Sequence, residues 1–192
     1  MPTTLDDLTW PRRTERLTLR KQEPADADAL WEIEGDAAQN RWTTRVYQDR
    51  AAFDADRGTR AASDLVAHWD GRLAGVLMVA QKDAWSQAEV AGQAKGQLVE
   101  LGWRVAPWAQ GQGIATELAR EGLAIAVEMG VHRVAASCFI ENAASWRVME
   151  KIGMRRESHT VRESLHRDGT WHDGLTYAVL TEELVAGRTQ GA

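Results

Sequence analysis

The 192-residue chain is 44% hydrophobic and 27% charged, an ordinary globular composition with enough length for one well-packed core. Its net charge of −5 with no basic block speaks against a nucleic-acid partner, and no run approaches the roughly 18 apolar residues of a membrane span. A lone cysteine, Cys138, excludes an internal disulfide and agrees with a reducing cytoplasm, and the acid-bearing start MPTTLDDLTWPRRTERL is not read as a secretory leader.

Along the chain, Thr14 to Arg20 alternates Leu17 and Leu19 with polar neighbours and predicts a first strand. Pro24 opens a predicted helix, PADADALWEIEGDA, with acids in its first turn. A second helix is expected around 49–60. The pattern DLVAHW–DG–RLAGVLMVA, residues 64–80, predicts a hairpin closed by Asp70-Gly71. Residues 83–96 are polar and rich in Gly and Ala, and read as a loop or irregular edge. Gln97 to Val105 is a strand that Pro107 ends. Ile114 to Met129 is the clearest helix: Ile114, Leu118, Ile125 and Met129 share one side with several small residues, which implies close packing on a sheet. Val131 to Phe139 is a strand, a helix follows from about Asn142 to Ile152, and two strands fit 154–164 and 171–180 around an Asp168-Gly169 turn. The closing AGRTQGA reads as a frayed tail. Nine tryptophans beside only two Tyr and two Phe are read as core filling.

The stretch AQGQGIAT, residues 109–116, places Gly111 and Gly113 just ahead of the strongest helix. A Walker loop would need Gly-Lys-Ser/Thr, but Ile114 follows Gly113. A dinucleotide fingerprint would need a third glycine where Thr116 stands, and an acid near Val131. What matches is Gln/Arg-x-x-Gly-x-Gly/Ala, through Gln110, Gly113 and Ala115. Successive backbone N–H groups can converge on a pyrophosphate only where bulky Cβ atoms are absent, and a helix N-terminus adds donors and partial positive charge. By itself, so short a pattern also describes a plain tight turn before a helix.

Read together, residues 99–158 resemble the GNAT acetyltransferases, particularly the RimJ/RimL-type branch. The resemblance runs through the strand Val99–Val105, Pro107, the Gln110–Ala115 motif, Asn142-Ala143-Ala144-Ser145 and Glu150-Lys151-Ile152-Gly153-Met154; TERLTLR and DGRLAG extend it over most of residues 14–180. It implies an α/β fold, with a mixed, mostly antiparallel sheet of six or seven strands and helices on both faces. One domain would then occupy residues 1–192, with a core of about 14–183. It also implies acetyl-CoA as donor and a cytoplasmic enzyme that transfers acetyl to a primary amine by direct attack. The acceptor would be a small molecule or a protein N-terminus, and homodimers are frequent in the branch. Two adjacent parallel strands, here 97–105 and 131–139, would splay around the thioester. The pyrophosphate would rest on Gln110, Gly111, Gln112, Gly113, Ile114, Ala115 and Thr116, and the pantetheine arm on Trp103, Arg104 and Val105. Asn142 would contact the arm, and Ser145 would stand near the sulfur as partner of the leaving thiolate.

Taken alone, Glu100 is either a solvated strand carboxylate or a base facing a cleft; in the branch an acid here is a candidate general base, often through water. Ser145 read alone is a first-turn helix residue behind an Asn142 cap. Many family members use a Tyr acid on this helix, where this chain has Trp146, which has no usable proton. The five histidines show no zinc spacing and read as hairpin and surface residues, so no metal is expected. Cys138 reads as a small buried hydrophobe rather than an acyl carrier. Transfer of another acyl group, and a non-catalytic acyl-CoA sensor, are the alternatives. Acceptor specificity is expected from residues 36–62, 83–96 and 160–175.

Overall fold

A computed structural model of the protein describes residues 3–189. Eight strands form one sheet in the order β1-β2-β3-β4-β5-β6-β8-β7: β1 Arg12–Arg13, β2 Leu17–Lys21, β3 Asp64–Trp69, β4 Arg72–Lys82, β5 Leu98–Val105, β6 Arg133–Phe139, β7 Arg155–Leu165 and β8 Trp171–Leu180. Seven are the strands read from periodicity; the two-residue β1 is too short to leave a period. Every neighbouring pair is antiparallel except β5 with β6.

Strand alternation sends side chains to two cores. Leu65, Ala67, Leu77 and Val79 join the cluster under α4 (Ile114–Glu128) and α5 (Ala143–Lys151). Val66 and Val76 join the second cluster, with Leu30 and Ile33 of α1 (Ala27–Glu34) and Phe53 of α2 (Arg50–Arg60). Helices therefore cover both faces. The α2 helix starts where Asp49 caps it, accepting from Ala52 N–H at 2.8 Å. Helix α4 lies tight on the sheet: a Cβ on Gly122 would stand 3.0 Å from both terminal carbons of Leu101. Asp70 and Gly71 both have positive φ, as the two-residue hairpin turn requires.

Two expectations are revised. Residues 83–96 hold a short helix, α3 Ala91–Ala94, after one 3-10 turn. Much of the expected tail is helical, in α6 Thr181–Thr189. Thr181 hydroxyl donates to Val131 C=O, Glu183 accepts from Leu180 N–H and pairs with Arg155, and Leu184 packs on the core. These long-range ties outweigh the weak local pattern; residues 190–192 of that call lie outside the described residues. Most tryptophans pack against the two clusters, but Trp85 and Trp171 are exposed. Among the described residues, no helix is long and apolar enough to cross a membrane.

Candidate active site

Among the described residues, β5 and β6 are the one parallel pair, and it splits. Its ladder has rungs at Leu98↔Arg133, Val99↔Val134 and Glu100↔Ala135, and stops there. Meanwhile β5 stays paired with β4 as far as Val105, and β6 with β8 as far as Phe139. The two strands therefore diverge toward their C-terminal ends, opening a V. Helices α4 and α5 begin just beyond those ends, so two helix N-termini face the mouth. A crevice at the carboxyl ends of parallel strands, where neighbours part, is where α/β sheets hold ligands.

The register decides which backbone groups face the V. Gln97 C=O accepts from Arg133 N–H at 3.1 Å, so odd residues of β5 turn their amides toward β6. A Cβ on Gly75 would lie 2.6 Å from Arg104 C=O, and Ala106 N–H donates to Ala74 C=O at 2.8 Å, so even residues face β4. The last rung uses Leu101 N–H, which donates to Ala135 C=O; beyond it, Trp103 and Val105 turn their amides to the V. Arg104, expected beside them, is excluded: its backbone faces β4, and its guanidinium pairs with Asp64 at 3.0 Å and Glu34 at 3.3 Å. The Val105 carbonyl is partly occupied by Gln110 Nε2 at 3.1 Å. Trp103 is left as the residue whose backbone turns into the V beyond the end of the β5–β6 ladder.

The glycine turn has the expected conformation. Gly111 and Gly113 lie at φ 74° and 83°, which L side chains rarely adopt. Gly113 is the N-cap of α4 and has no side chain to cap it, while its carbonyl accepts from Thr116 and Glu117 N–H at 3.1 Å. The donors ahead of Thr116 have no intrahelical acceptor, by helix geometry. Both glutamine side chains are engaged: Gln110 Nε2 also donates to Gln39, at 3.0 Å, and Gln112 Nε2 to Trp108 C=O at 3.0 Å. An anion here would therefore meet backbone. Ile114 is buried and offers only its N–H, while Ala115 and Thr116 are half-buried.

Sequence reasoning missed Arg16, which straps this turn. Its Nη1 donates to Gln112 C=O at 2.8 Å, and its Nε to Glu117 at 2.8 Å. Burial opposes ionisation of Glu117, but the Thr14 hydroxyl and the Arg16 N–H and guanidinium together hold the carboxyl below its ordinary value. No local pattern marks Arg16, because its partners lie about a hundred residues away in sequence.

At the other lip, Asn142 caps α5, accepting from Ser145 N–H at 3.3 Å. Among the described residues, no protein group bonds the half-buried Ser145 hydroxyl. Trp146 Nε1 donates to Ile140 C=O at 3.1 Å, which fixes α5 to the end of β6. Glu100 occupies the last rung, at the closed end of the V. Because Val99 and Leu101 are buried under α4, the Glu100 side chain leaves the opposite face, where it pairs with Lys82. Burial pushes the Cys138 thiol up to about 11, so it is protonated at neutral pH.

On the Glu100 face, at the end of β6, a cavity of about 770 Å³ lies between Phe139, the 43–47 loop and the turn of the β7–β8 hairpin at 165–167. Two of the three segments expected to set specificity meet here; 83–96 does not line it, nor does Glu100. Arg167 ties hairpin to loop by donating to Asn40 C=O at 3.3 Å and to Thr43 C=O. Tyr47 donates to Asp56 at 2.7 Å on one wall. That hydroxyl, against burial and with Arg45, brings the Asp56 carboxyl down to about 2, while burial and the same bond push the Tyr47 phenol up to about 12.

Comparison with known proteins agrees with this geometry. The acetyltransferase (GNAT) domain profile matches residues 16–155. An uncharacterised N-acetyltransferase of Bacillus subtilis, YnaD, is 42% identical over 85 residues, covering 44% of this chain and 49% of that protein; the match thus spans about half of the relative. An acetyltransferase (GNAT family) structure from Bacillus anthracis superposes with a TM-score of 0.73 at 30% identity, over 88% of this chain and 98% of that one. Spermidine N-acetyltransferase from Vibrio cholerae, solved with CoA and spermine, gives 0.70 at 17% identity over 88% and 98%, a likeness of fold. A domain match over most of the chain, around a split parallel pair with a glycine-capped helix at its mouth, shows that the chain belongs to the GNAT family of acetyltransferases.

Proposed function

We propose that the protein transfers the acetyl group of acetyl-CoA to a primary amine by direct attack within a ternary complex, as a member of the RimJ/RimL-type branch. The observation that carries this reading is the split of β5 from β6 after Glu100↔Ala135, with the uncapped N-terminus of α4 at its mouth. The residues present suit the coenzyme: an N-cap without a side chain leaves donors for a pyrophosphate, and the Trp103 amide faces the V for the pantetheine arm. The V. cholerae neighbour, whose structure contains CoA, has the same fold.

When bound, acetyl-CoA supplies an activated thioester; the chain's own residues do the rest. Backbone N–H groups from Gly111 to Ala115, with the Thr116 hydroxyl, hold the phosphates. Trp103 N–H is placed to polarise a carbonyl lying in the V. Asn142 holds the lip of α5, and the Ser145 hydroxyl donates to the leaving sulfur. Glu100 takes the proton of the acceptor ammonium, through water, because its side chain leaves the sheet on the face where the cavity opens. The protonated Cys138 thiol favours direct attack over an acyl-cysteine route.

A panel of N-terminal peptides, amino acids, polyamines and simple amines, incubated with acetyl-CoA and read by release of free CoA thiol, tests the reading. Transfer to at least one acceptor class is the expected result. Tight CoA binding with no transfer to any would overturn it in favour of a sensor.

A further inference from the structure

At the turn of the β7–β8 hairpin, His166, Asp168 and His172 each bring one ligand atom to within 4.8 Å of the others. The spacing His-x-Asp-x3-His resembles no helical metal motif; the Asp168-Gly169 turn, with Gly169 at φ 85°, folds the segments together instead. The protons of the cluster can be assigned from its partners. His166 Nε2 lies 3.0 Å from Arg41 C=O, which can only accept, so Nε2 carries a proton. Nδ1 lies 3.4 Å from Asp168 N–H, a contact that would use a lone pair there. Yet Asp168 Oδ2 stands 3.0 Å from that same nitrogen. That shorter contact needs positive charge at Nδ1: either a second ring proton donated to the carboxylate, or a metal ion bound by both atoms.

His172 repeats the pattern. Its Nδ1 is 2.8 Å from Glu141 Oε1, another obligate acceptor when ionised, so Nδ1 carries the proton. Its Nε2 turns to Thr170 Oγ1 at 2.6 Å, and that hydroxyl's single proton is claimed by Asp168 Oδ1. Each ring is thus held at its far nitrogen by an oxygen; the near nitrogen of His166 meets the Asp168 carboxylate directly, while that of His172 meets it through the Thr170 hydroxyl, which a bound ion would displace. A carbonyl or carboxylate behind each imidazole is the support that metal-bound histidines use, since it fixes the tautomer and raises basicity. The rings cannot swing away freely: Trp42 packs 5.3 Å from His166, Phe139 lies 5.8 Å from His172, and His166 is only 6% exposed.

We propose that His166, Asp168 and His172 bind one divalent first-row transition ion, Zn²⁺ being the best match to two imidazoles and one carboxylate. Glu141 and Arg41 C=O are the outer supports, and a fourth position is open to water. Mg²⁺ and Ca²⁺, which require more oxygen ligands, do not suit this set. A bound ion would stiffen the cavity wall, because His166 holds Arg41 and Arg167 holds Asn40 and Thr43. The site stands on its own geometry and does not depend on acetyl transfer.

The test is a calorimetric titration of the chelator-stripped, tag-free full chain with ZnCl₂, beside His172→Ala, Asp168→Asn, Glu141→Gln and the control His159→Ala. The parent is expected to take one ion per chain and to gain melting temperature on binding. His172→Ala and Asp168→Asn should each lose at least about tenfold in affinity, as should Glu141→Gln, on the scale seen for outer supports. His159→Ala, which breaks only a pair with Asp173, should match the parent, and MgCl₂ should give no binding heat. Asp168 is an exposed turn residue, so its variant folds even if the His172 variant does not. No Zn²⁺ uptake by the parent, parent-level affinity in both the His172 and Asp168 variants, or binding of Mg²⁺ as tight as Zn²⁺ would each overturn the proposal.

Discussion

Helix α4 carries a left-handed glycine at each end, and the pair separates strain from ligand contact. Gly113 at its N-terminus has φ 83° and Gly130 just past its C-terminus has φ 70°. A Cβ on Gly113 would meet only Arg16 Nη2, at 3.5 Å, and one on Gly130 would meet nothing within 4 Å. Alanine therefore fits at both positions sterically and carries the same conformational cost, about 1–2 kcal/mol for an L residue in this region. For a chain of this size, that lowers the melting temperature by about 2–8 °C in either variant. Only Gly113 lies at the mouth of the split strands. Its new methyl would crowd the donors assigned to the pyrophosphate, and losing one hydrogen bond to a charged group costs about 1.5–3 kcal/mol, or about tenfold to a hundredfold in Kd. Thermal melts and calorimetry with CoA, run on both variants, read the two effects separately. Parent-level CoA affinity in Gly113→Ala would refute the assignment of the turn to the phosphates. An equal loss in both would mean that helix strain alone accounts for it.

Ser145→Ala keeps the N–H that Asn142 caps, so the melting temperature and CoA affinity should stay at parent values while kcat falls at least about tenfold; an unchanged kcat returns Ser145 to a purely structural place. Glu100→Gln, assayed with an acceptor from the amine panel, should cut kcat/KM by about a hundredfold near neutral pH, and the deficit should shrink as alkaline pH supplies the free amine. A deficit independent of pH would mean that Glu100 acts by charge alone. Glu117 has a folded-state carboxyl below its ordinary 4.5, so its contribution to stability is present above that value and is lost as pH falls through the lower folded one. Glu117→Gln should therefore melt lower than the parent at neutral pH and converge with it in acid, followed by circular dichroism; a gap that stays constant down to strongly acid pH would contradict that linkage.

Much of the architecture was legible in the sequence because local chemistry wrote it. The Asp70-Gly71 hairpin, the glycines at 111 and 113 and the apolar side of α4 each reflect a backbone angle or a period that the chain carries within a few residues. The motif order from Val99 to Met154 likewise pointed to the family that the domain match over residues 16–155 shows. Tertiary structure alone decided where β5 and β6 part, and hence that Trp103 faces the V while Arg104 turns its backbone to β4 and its charge to Asp64 and Glu34. It also decided that Arg16 straps the glycine turn, that Lys82 sits on Glu100, and that Phe139, the 43–47 loop and the 165–167 turn enclose one cavity. Likewise, three residues without a recognisable spacing, His166, Asp168 and His172, share a corner only because a hairpin closes. A turn or a helix face is set by neighbours in the chain, whereas a strand's register is set by partners tens of residues distant; one step of that register exchanges the groups that meet a ligand for those that meet the next strand.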